Sequence, residues 1–288
     1  MSFLTSCRWI CASLLIGVAA CCIAQTPASC SFSTFPDPSG TFSVTPNGIN
    51  IWNNVVGSAQ NTSLHFEGFL RHPSGAISTF KVSNATDTLF SKRNANGVDV
   101  GFYQDTAAKA HGFVLFGSQL SKVNFPGAAQ TWLSGINSSG TIVGYHINSA
   151  NGFSGFELKN GSFTQIRFPG AVDTTPQAIS DTGVIVGSYD NGGFAHGFVE
   201  SSGHYVTVDH PLAHGTDLRD INKSGMIVGN YTSGDFQTGF IYISGKFKDV
   251  KFPNSVQTLV NGVNNNGIIT GRILFSNGNG EGYTARCN

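Results

Sequence analysis

Charge is scarce in this chain. Only 11% of its 288 residues are Asp, Glu, Lys or Arg, and 16 acidic side chains cancel 16 basic ones. Nucleic acids and anionic membranes bind clustered positive charge, so neither is expected as a partner. Long apolar runs are equally rare, and the one from Ile10 to Ala20 is too short for a transmembrane span. The catalytic signatures that stand out in a single sequence are missing. There is no phosphate-cradling Gly-x-x-x-x-Gly-Lys-Ser/Thr loop, no His-Glu-x-x-His helix and no Gly-x-Ser-x-Gly elbow. The turn Asn264-Asn265-Asn266-Gly267 lacks the carboxylates of a calcium loop. No cofactor and no metal are therefore expected.

Cysteine is concentrated where it does not last. Four of the six, Cys7, Cys11, Cys21 and Cys22, lie in a segment with a basic start at Arg8, an apolar core and a small-residue site at Cys22-Ile23-Ala24. That layout reads as a secretory signal over residues 1–24, cleaved before Gln25. A competing reading takes Val18-Ala19-Ala20-Cys21 as a lipoprotein site that leaves Cys21 lipidated. Cleavage after Ala24 leaves only Cys30 and Cys287, and two cysteines at opposite ends of an exported chain invite pairing. The expected location is outside the cytoplasm, with residues 25–288 forming one domain and the protein a monomer.

Glycine and phenylalanine are abundant, at 36 and 23 residues. The glycines recur as a doublet four residues apart: Gly97 and Gly101, Gly140 and Gly144, Gly183 and Gly187, Gly225 and Gly229, Gly267 and Gly271. A first copy keeps only Gly57. The second glycines are spaced 44, 43, 43, 42 and 42 residues apart, a period that marks a repeat architecture.

Each period holds four apolar runs. In the copy from Thr131, the first ends at Ile136-Asn137, matched by Ile179-Ser180, Ile221-Asn222 and Val263-Asn264. A turn closed by the first glycine follows, then a β-branched run such as Thr141 to Tyr145. The third run opens on a Gly-aromatic pair: Gly68-Phe69, Gly112-Phe113, Gly155-Phe156, Gly197-Phe198, Gly239-Phe240 and Gly282-Tyr283. The fourth alternates toward a proline, as Phe163, Ile166 and Phe168 do before Pro169. Each repeat is thus a four-stranded antiparallel meander, and six arranged radially make an all-β, six-bladed β-propeller.

The ends of the array favour a closed ring over an open solenoid. The last copy stops after its third run, and the missing fourth appears at the other terminus as Cys30 to Pro36, with Thr41 placed after it as Thr131 follows Phe125-Pro126. The N-terminal strand is therefore expected to complete the final blade. Alignment with Asn160-Gly161-Ser162-Phe163 puts Cys287 just before a hairpin turn and Cys30 just after it, within bridging distance.

The runs Lys109-Ala110-His111-Gly112-Phe113 and Phe194-Ala195-His196-Gly197-Phe198, each downstream of an Asn-x-x-Gly-like turn, resemble the HAF-type extracellular repeats of bacterial exported proteins. The resemblance implies secretion and no particular substrate or catalytic residue. The histidine position departs from it as Glu67, Ser154, Thr238 and Glu281.

His111 and His196 read as repeat histidines that bond a neighbouring loop, and His204, His210 and His214 with Asp209 as a cluster at a solvated strand edge. The innermost strand is the better place for a ligand site, at positions where one copy breaks the consensus. Lys92 replaces the small residue seen as Gly135, Ala178 and Gly262, Arg93 replaces Ile136, and Asp220 departs in the column of Lys92. Arg219 joins Gln177, Asn261 and Ser134 in a polar column. A funnel lined by Lys92, Arg93, Gln177, Arg219, Asp220 and Asn261 would suit a sugar or carboxylate ligand. The same residues also read as an ion pair plus solvated strand ends. Three functions remain open: a secreted, non-catalytic scaffold binding a carbohydrate or an exported protein; an extracellular polysaccharide hydrolase or lyase using Asp220 with Arg219 or Lys92; and a structural cell-surface component.

Overall fold

A computed structural model describes residues 27–38, 41–148 and 150–288. The expected signal segment and Cys21 lie outside them. Among the described residues, twenty-four strands form six four-stranded antiparallel sheets arranged as the blades of a β-propeller. The N-terminal strand is β1 (Cys30–Phe35). Blade 1 holds β2 (Thr41–Ile49), β3 (Val55–Asn61), β4 (Phe66–Arg71) and β5 (Ile77–Phe80). Blade 2 holds β6 (Asp87–Arg93), β7 (Val98–Gln104), β8 (Ala110–Phe116) and β9 (Gln119–Val123). Blade 3 holds β10 (Thr131–Ile136), β11 (Ile142–Ile147), β12 (Phe153–Lys159) and β13 (Ser162–Ile166). Blade 4 holds β14 (Asp173–Ile179), β15 (Ile185–Asp190), β16 (His196–Ser201) and β17 (His204–Thr207). Blade 5 holds β18 (Gly215–Ile221), β19 (Ile227–Ser233), β20 (Phe236–Ile243) and β21 (Lys246–Val250). Blade 6 holds β22 (Gln257–Val263), β23 (Ile268–Leu274) and β24 (Gly280–Cys287), and its fourth strand is β1. No helix among the described residues is long and apolar enough to cross a membrane.

The two glycines of each doublet do different work. The first closes the hairpin between innermost and second strands in a left-handed conformation, as at Gly140 with φ of 84°. The second lies opposite the aromatic of the Gly-aromatic pair, Gly144 across from Phe156. A Cβ at Gly144 would stand 2.2 Å from the Trp132 carbonyl oxygen and 2.8 Å from the Phe156 ring. The same pairing recurs in the other five blades, and Phe69, Phe113, Phe156, Phe198, Phe240 and Tyr283 are all fully buried. Each such ring stabilises by roughly 1.5–3 kcal/mol through burial alone. Blade packs on blade through the other glycine of the pair, where Gly112 faces Leu133, Gly155 faces Pro176 and Gly197 faces Leu218 of the following blade.

Polar side chains fasten the blades to each other. In five blades the asparagine after the innermost strand accepts hydrogen bonds from its own turn and donates one to the equivalent carbonyl of the next blade. These run from Asn50 to Asn94 (3.2 Å), Asn94 to Asn137 (3.1 Å), Asn137 to Ser180 (3.2 Å), Asn222 to Asn264 (3.1 Å) and Asn264 to Asn50 (3.0 Å). The circle lacks its link from blade 4 to blade 5, where Ser180 stands in the column and uses its hydroxyl on its own turn. Threonines add a second fastening, as Thr131 Oγ1 accepts from the Phe125 amide at 3.0 Å. Thr41 is not the counterpart of Thr131. Register places Val44 there, because Pro46 opposite Gly57 matches Leu133 opposite Gly144 and β2 carries additional residues at its start.

β1 pairs antiparallel with β24, with Cys30 opposite Cys287, and a disulfide joins them. It stands where other blades have a covalent hairpin. Such a bond is compatible with an oxidising, extracytoplasmic compartment.

Two stability measurements follow from this closure. Replacing both Cys30 and Cys287 by Ser should lower unfolding free energy by about 5.5 kcal/mol in the chain-entropy picture, read by denaturant titration of the variant against the oxidised native chain. An equal stability for the two forms would show that strand pairing alone closes the ring. Ser180→Asn should complete the asparagine circle and raise stability by about 0.5–1.5 kcal/mol, visible as a higher melting temperature, whereas a lower one would mean that the blade 4–5 junction cannot seat the amide.

Candidate functional site

The site begins with a β-bulge repeated six times. At one shared place every innermost strand skips a residue in its pairing with the second strand: Asn47, Ser91, Ser134, Gln177, Arg219 and Asn261. A bulge re-aims the strand and breaks the alternation of faces. All six bulged residues line one cavity of about 280 Å³ at the end of the central channel where the innermost strands begin, here called the wide mouth. The residues that follow them, including Lys92, Gly135, Ala178 and Asp220, line a narrower space of about 70 Å³ further along.

Lys92 and Asp220 separate the two spaces. They come from blades 2 and 5, opposite each other in the ring, and their charged atoms meet at 2.8 Å. Lys92 Nζ also donates to the carbonyls of Asn47 (2.8 Å) and Asn261 (2.9 Å), so its three protons have three acceptors. Asp220 accepts from the amides of Ile221 and Val263, both at 2.9 Å. Burial lowers the Lys92 pKa, and the adjacent Asp220 carboxylate opposes that shift. Both carboxylate oxygens of Asp220 are thus engaged inside the protein.

Of the six residues expected to share one funnel, Gln177, Arg219, Asn261 and Lys92 line the wide cavity. Arg93 and Asp220 lie beyond its floor, against the narrow space that Lys92 also borders. Arg93 is turned to Asp99 on the second strand, at 2.5 Å. This pair occupies the register position held by Ile49 and Val55, Ile136 and Ile142, Ile179 and Ile185, Ile221 and Ile227, and Val263 and Ile269 in the other blades. It is an ionic substitute for an aliphatic contact.

The wide cavity has two unlike sides. Blades 2 and 3 present Phe102, Trp132 and Tyr145, with Trp132 and Tyr145 stacked at 5.2 Å and Phe102 edge-on to Trp132 at 6.3 Å. Toward blades 4 to 6 stand Gln177, Arg219, Asn230, Gln237 and Asn261. Arg219 is paired with Asp217 at 2.7 Å, so the charges at this side cancel. Burial pushes the Tyr145 phenol up to about 12, with Arg219 opposing and Asp217 adding to the shift, so the hydroxyl stays a neutral donor. Asn47, Ser134 and Asn261 donate to the following blade at Phe90, Pro176 and Pro46, which holds the ring of bulges rigid.

Phe102, Trp132, Tyr145, Asp217, Asn47 and Ser91 were not among the expected site residues. The residue after the second glycine carried the signal: it runs Ser58, Phe102, Tyr145, Ser188, Asn230, Arg272 around the ring. The histidines sort as repeat elements. His111 bonds Asp105 (3.0 Å) and Asn124 (3.3 Å), and His196 bonds Asp209 (2.7 Å). His210 is not at a solvated edge. It is buried and stacked on Tyr231 at 3.7 Å, in the place where Phe125 stacks on His146 and Phe168 on Tyr189. Among the described residues, no three His, Cys, Asp or Glu side chains converge as a metal site.

No protein-family model matches the chain, and no curated protein matches it. Among solved structures, it is similar to a putative TolB from Agrobacterium tumefaciens, at 9% identity over 90% of each chain with a TM-score of 0.59. It is similar to a gluconolactonase from Xanthomonas campestris, at 10% identity over 92% of this chain and 97% of the other, TM-score 0.53. It also resembles the Aleuria aurantia lectin solved with Fucα1-6GlcNAc, at 11% identity over 86% and 93%, TM-score 0.54. At these identities the similarity is one of fold.

The Arg93–Asp99 pair makes stability depend on pH. Burial raises the Asp99 pKa from 3.8 to about 6, against the lowering effect of Arg93. Because the folded value is the higher one, this group's contribution is complete below the unfolded value and is lost as pH rises through the folded one. The double variant Arg93→Ile/Asp99→Ile should equal or exceed the native stability at neutral pH and lack that loss. Arg93→Ile alone leaves a buried carboxylate unpaired and should cost about 3 to 5 kcal/mol in denaturant titrations. Equal stability of the single and double variants would show that the pair is inert.

Proposed function

We propose that this protein is an exported, non-catalytic scaffold that binds a carbohydrate in the wide mouth of its central channel. The observation that carries the reading is the two-sided cavity, with the Phe102, Trp132 and Tyr145 aromatics facing Gln177 and the Asp217-paired Arg219. A sugar ring has the same division, with an apolar C–H face and an edge of hydroxyls. Concave sites with aromatic walls and a few convergent polar groups are the usual form of small-ligand sites. The lectin neighbour, solved with a fucosylated disaccharide, supports the idea that this fold accepts sugars. The disulfide supports export, with the signal segment removed after Ala24 and the array being of the HAF type.

The hydrolase or lyase reading is weaker because its acid, Asp220, is bound to Lys92 and to two backbone amides. An exported protein as partner has one observation in its favour. Exposed Val172, Phe194, Leu212 and Val256 lie in loops, and Phe236 opens β20, all at the same end of the propeller as the wide mouth.

Glycan binding measured by calorimetry tests the reading. Trp132→Ala should weaken binding by about 2 kcal/mol, roughly 30-fold, while the melting temperature stays near that of the native chain. Release of shortened saccharide during the titration would establish turnover instead, and unchanged affinity in the variant would move the site elsewhere.

A further inference from the structure

The cavity is closed at its inner end, and that closure restricts what enters it. A propeller channel is open at both ends unless side chains fill it. Here Lys92 and Asp220 reach across the ring from opposite blades and join at 2.8 Å. In the other four blades their column is Gly48, Gly135, Ala178 and Gly262, which cannot reach the axis. The plug is held from several sides, by the carbonyls of Asn47 and Asn261 and the amides of Ile221 and Val263. It borders the wide cavity at Lys92 and the narrow space at both residues.

A ligand entering the wide mouth therefore meets a floor. A polymer cannot thread through the channel, and an interior residue of a chain, substituted at both ends, cannot descend to the level of the bulged side chains. A terminal residue can, because it is linked on one side only. The charges beside the cavity select as well. Of the cations that line the cavity, Arg219 is neutralised by Asp217 and Lys92 by Asp220, so neither is left unpaired for an acidic sugar. Hydroxyls, in contrast, find the Gln177 amide and the Arg219 guanidinium, opposite the stacked Trp132 and Tyr145.

We propose that the wide mouth is an end-on site for the terminal, uncharged pyranose of a glycan, with the Lys92–Asp220 pair as the floor that excludes internal residues. This inference rests on the carbohydrate reading above and adds the polarity and the end-selectivity of the ligand.

The test uses the full exported chain on an array of neutral glucose, galactose, mannose and fucose oligosaccharides of graded length. Uronic-acid oligosaccharides and cyclic glucans, which have no ends, complete the set. Affinity should be set by the terminal residue, stay flat as the chain lengthens, and be absent for the cyclic glucans. An affinity rising by about tenfold from single sugar to longer chain, equal binding of cyclic glucans, or preference for the uronic acids would overturn the inference and leave the carbohydrate reading standing. No binding to any saccharide would overturn both. The variant Lys92→Gly/Asp220→Gly, which installs the small residues of other blades, should create a dependence on chain length that the native protein lacks. If the melting curve shows this variant unfolded, the length series on the native chain decides alone. A folded variant that still binds independently of length would show that the ion pair is not the floor.

Discussion

In every blade the second-strand glycine pairs with a buried aromatic residue, and a carbonyl of the bulged innermost strand stands in the space that its Cβ would occupy, joined by the ring itself in four blades. At Gly144 these neighbours are Phe156 and Trp132, and at Gly229 they are Phe240 and Asp217. The ring fills the middle of the blade and supplies its largest fully buried side chain. The carbonyl approach lets the innermost strand bulge where it does. A side chain at this glycine would push apart both contacts, so core packing and channel lining depend on the same missing atom.

The bulge carries that constraint into the channel. A regular strand would send Gln177 and Ala178, or Arg219 and Asp220, to opposite faces. With the bulge, both members of each pair reach the channel, the first at the wide mouth and the second deeper. The deeper level bears the cross-channel ion pair, which sits in a nearly dry environment and has all its hydrogen-bonding groups matched. A buried pair of this kind contributes little net stability because desolvation offsets attraction. Its effect here is on shape, since it turns a tube into a cup.

Around the axis the repeats are equal in scaffold and unequal in lining. The asparagine circle, the threonine fastenings and the Gly-aromatic pairs recur from blade to blade, with Ser180 as the visible gap in the first. The lining instead runs from aromatic in blades 2 and 3 to polar in blades 4 to 6. Such an asymmetry has no role in closing a ring, and it is what a ligand with unlike faces would recognise.

The period of the glycines, the alternation within each run and the fourth strand displaced to the N-terminus were legible in the chain itself, and they determined blade number, strand order and the Cys30–Cys287 closure. These are local or cyclic patterns, and backbone sterics give them one solution. Gln177, Arg219 and Asn261 could be singled out because they share one polar column, and Lys92, Arg93 and Asp220 because they broke theirs. Their relation to Lys92 and Asp220 could not, because it depends on a bulge that leaves no mark in the alternation. The turn of Arg93 toward Asp99, the burial of His210 against Tyr231 and the meeting of Lys92 with Asp220 were decided by the tertiary structure alone. Each joins residues from different strands or blades, and only closure of the ring brings opposite blades within reach of one another.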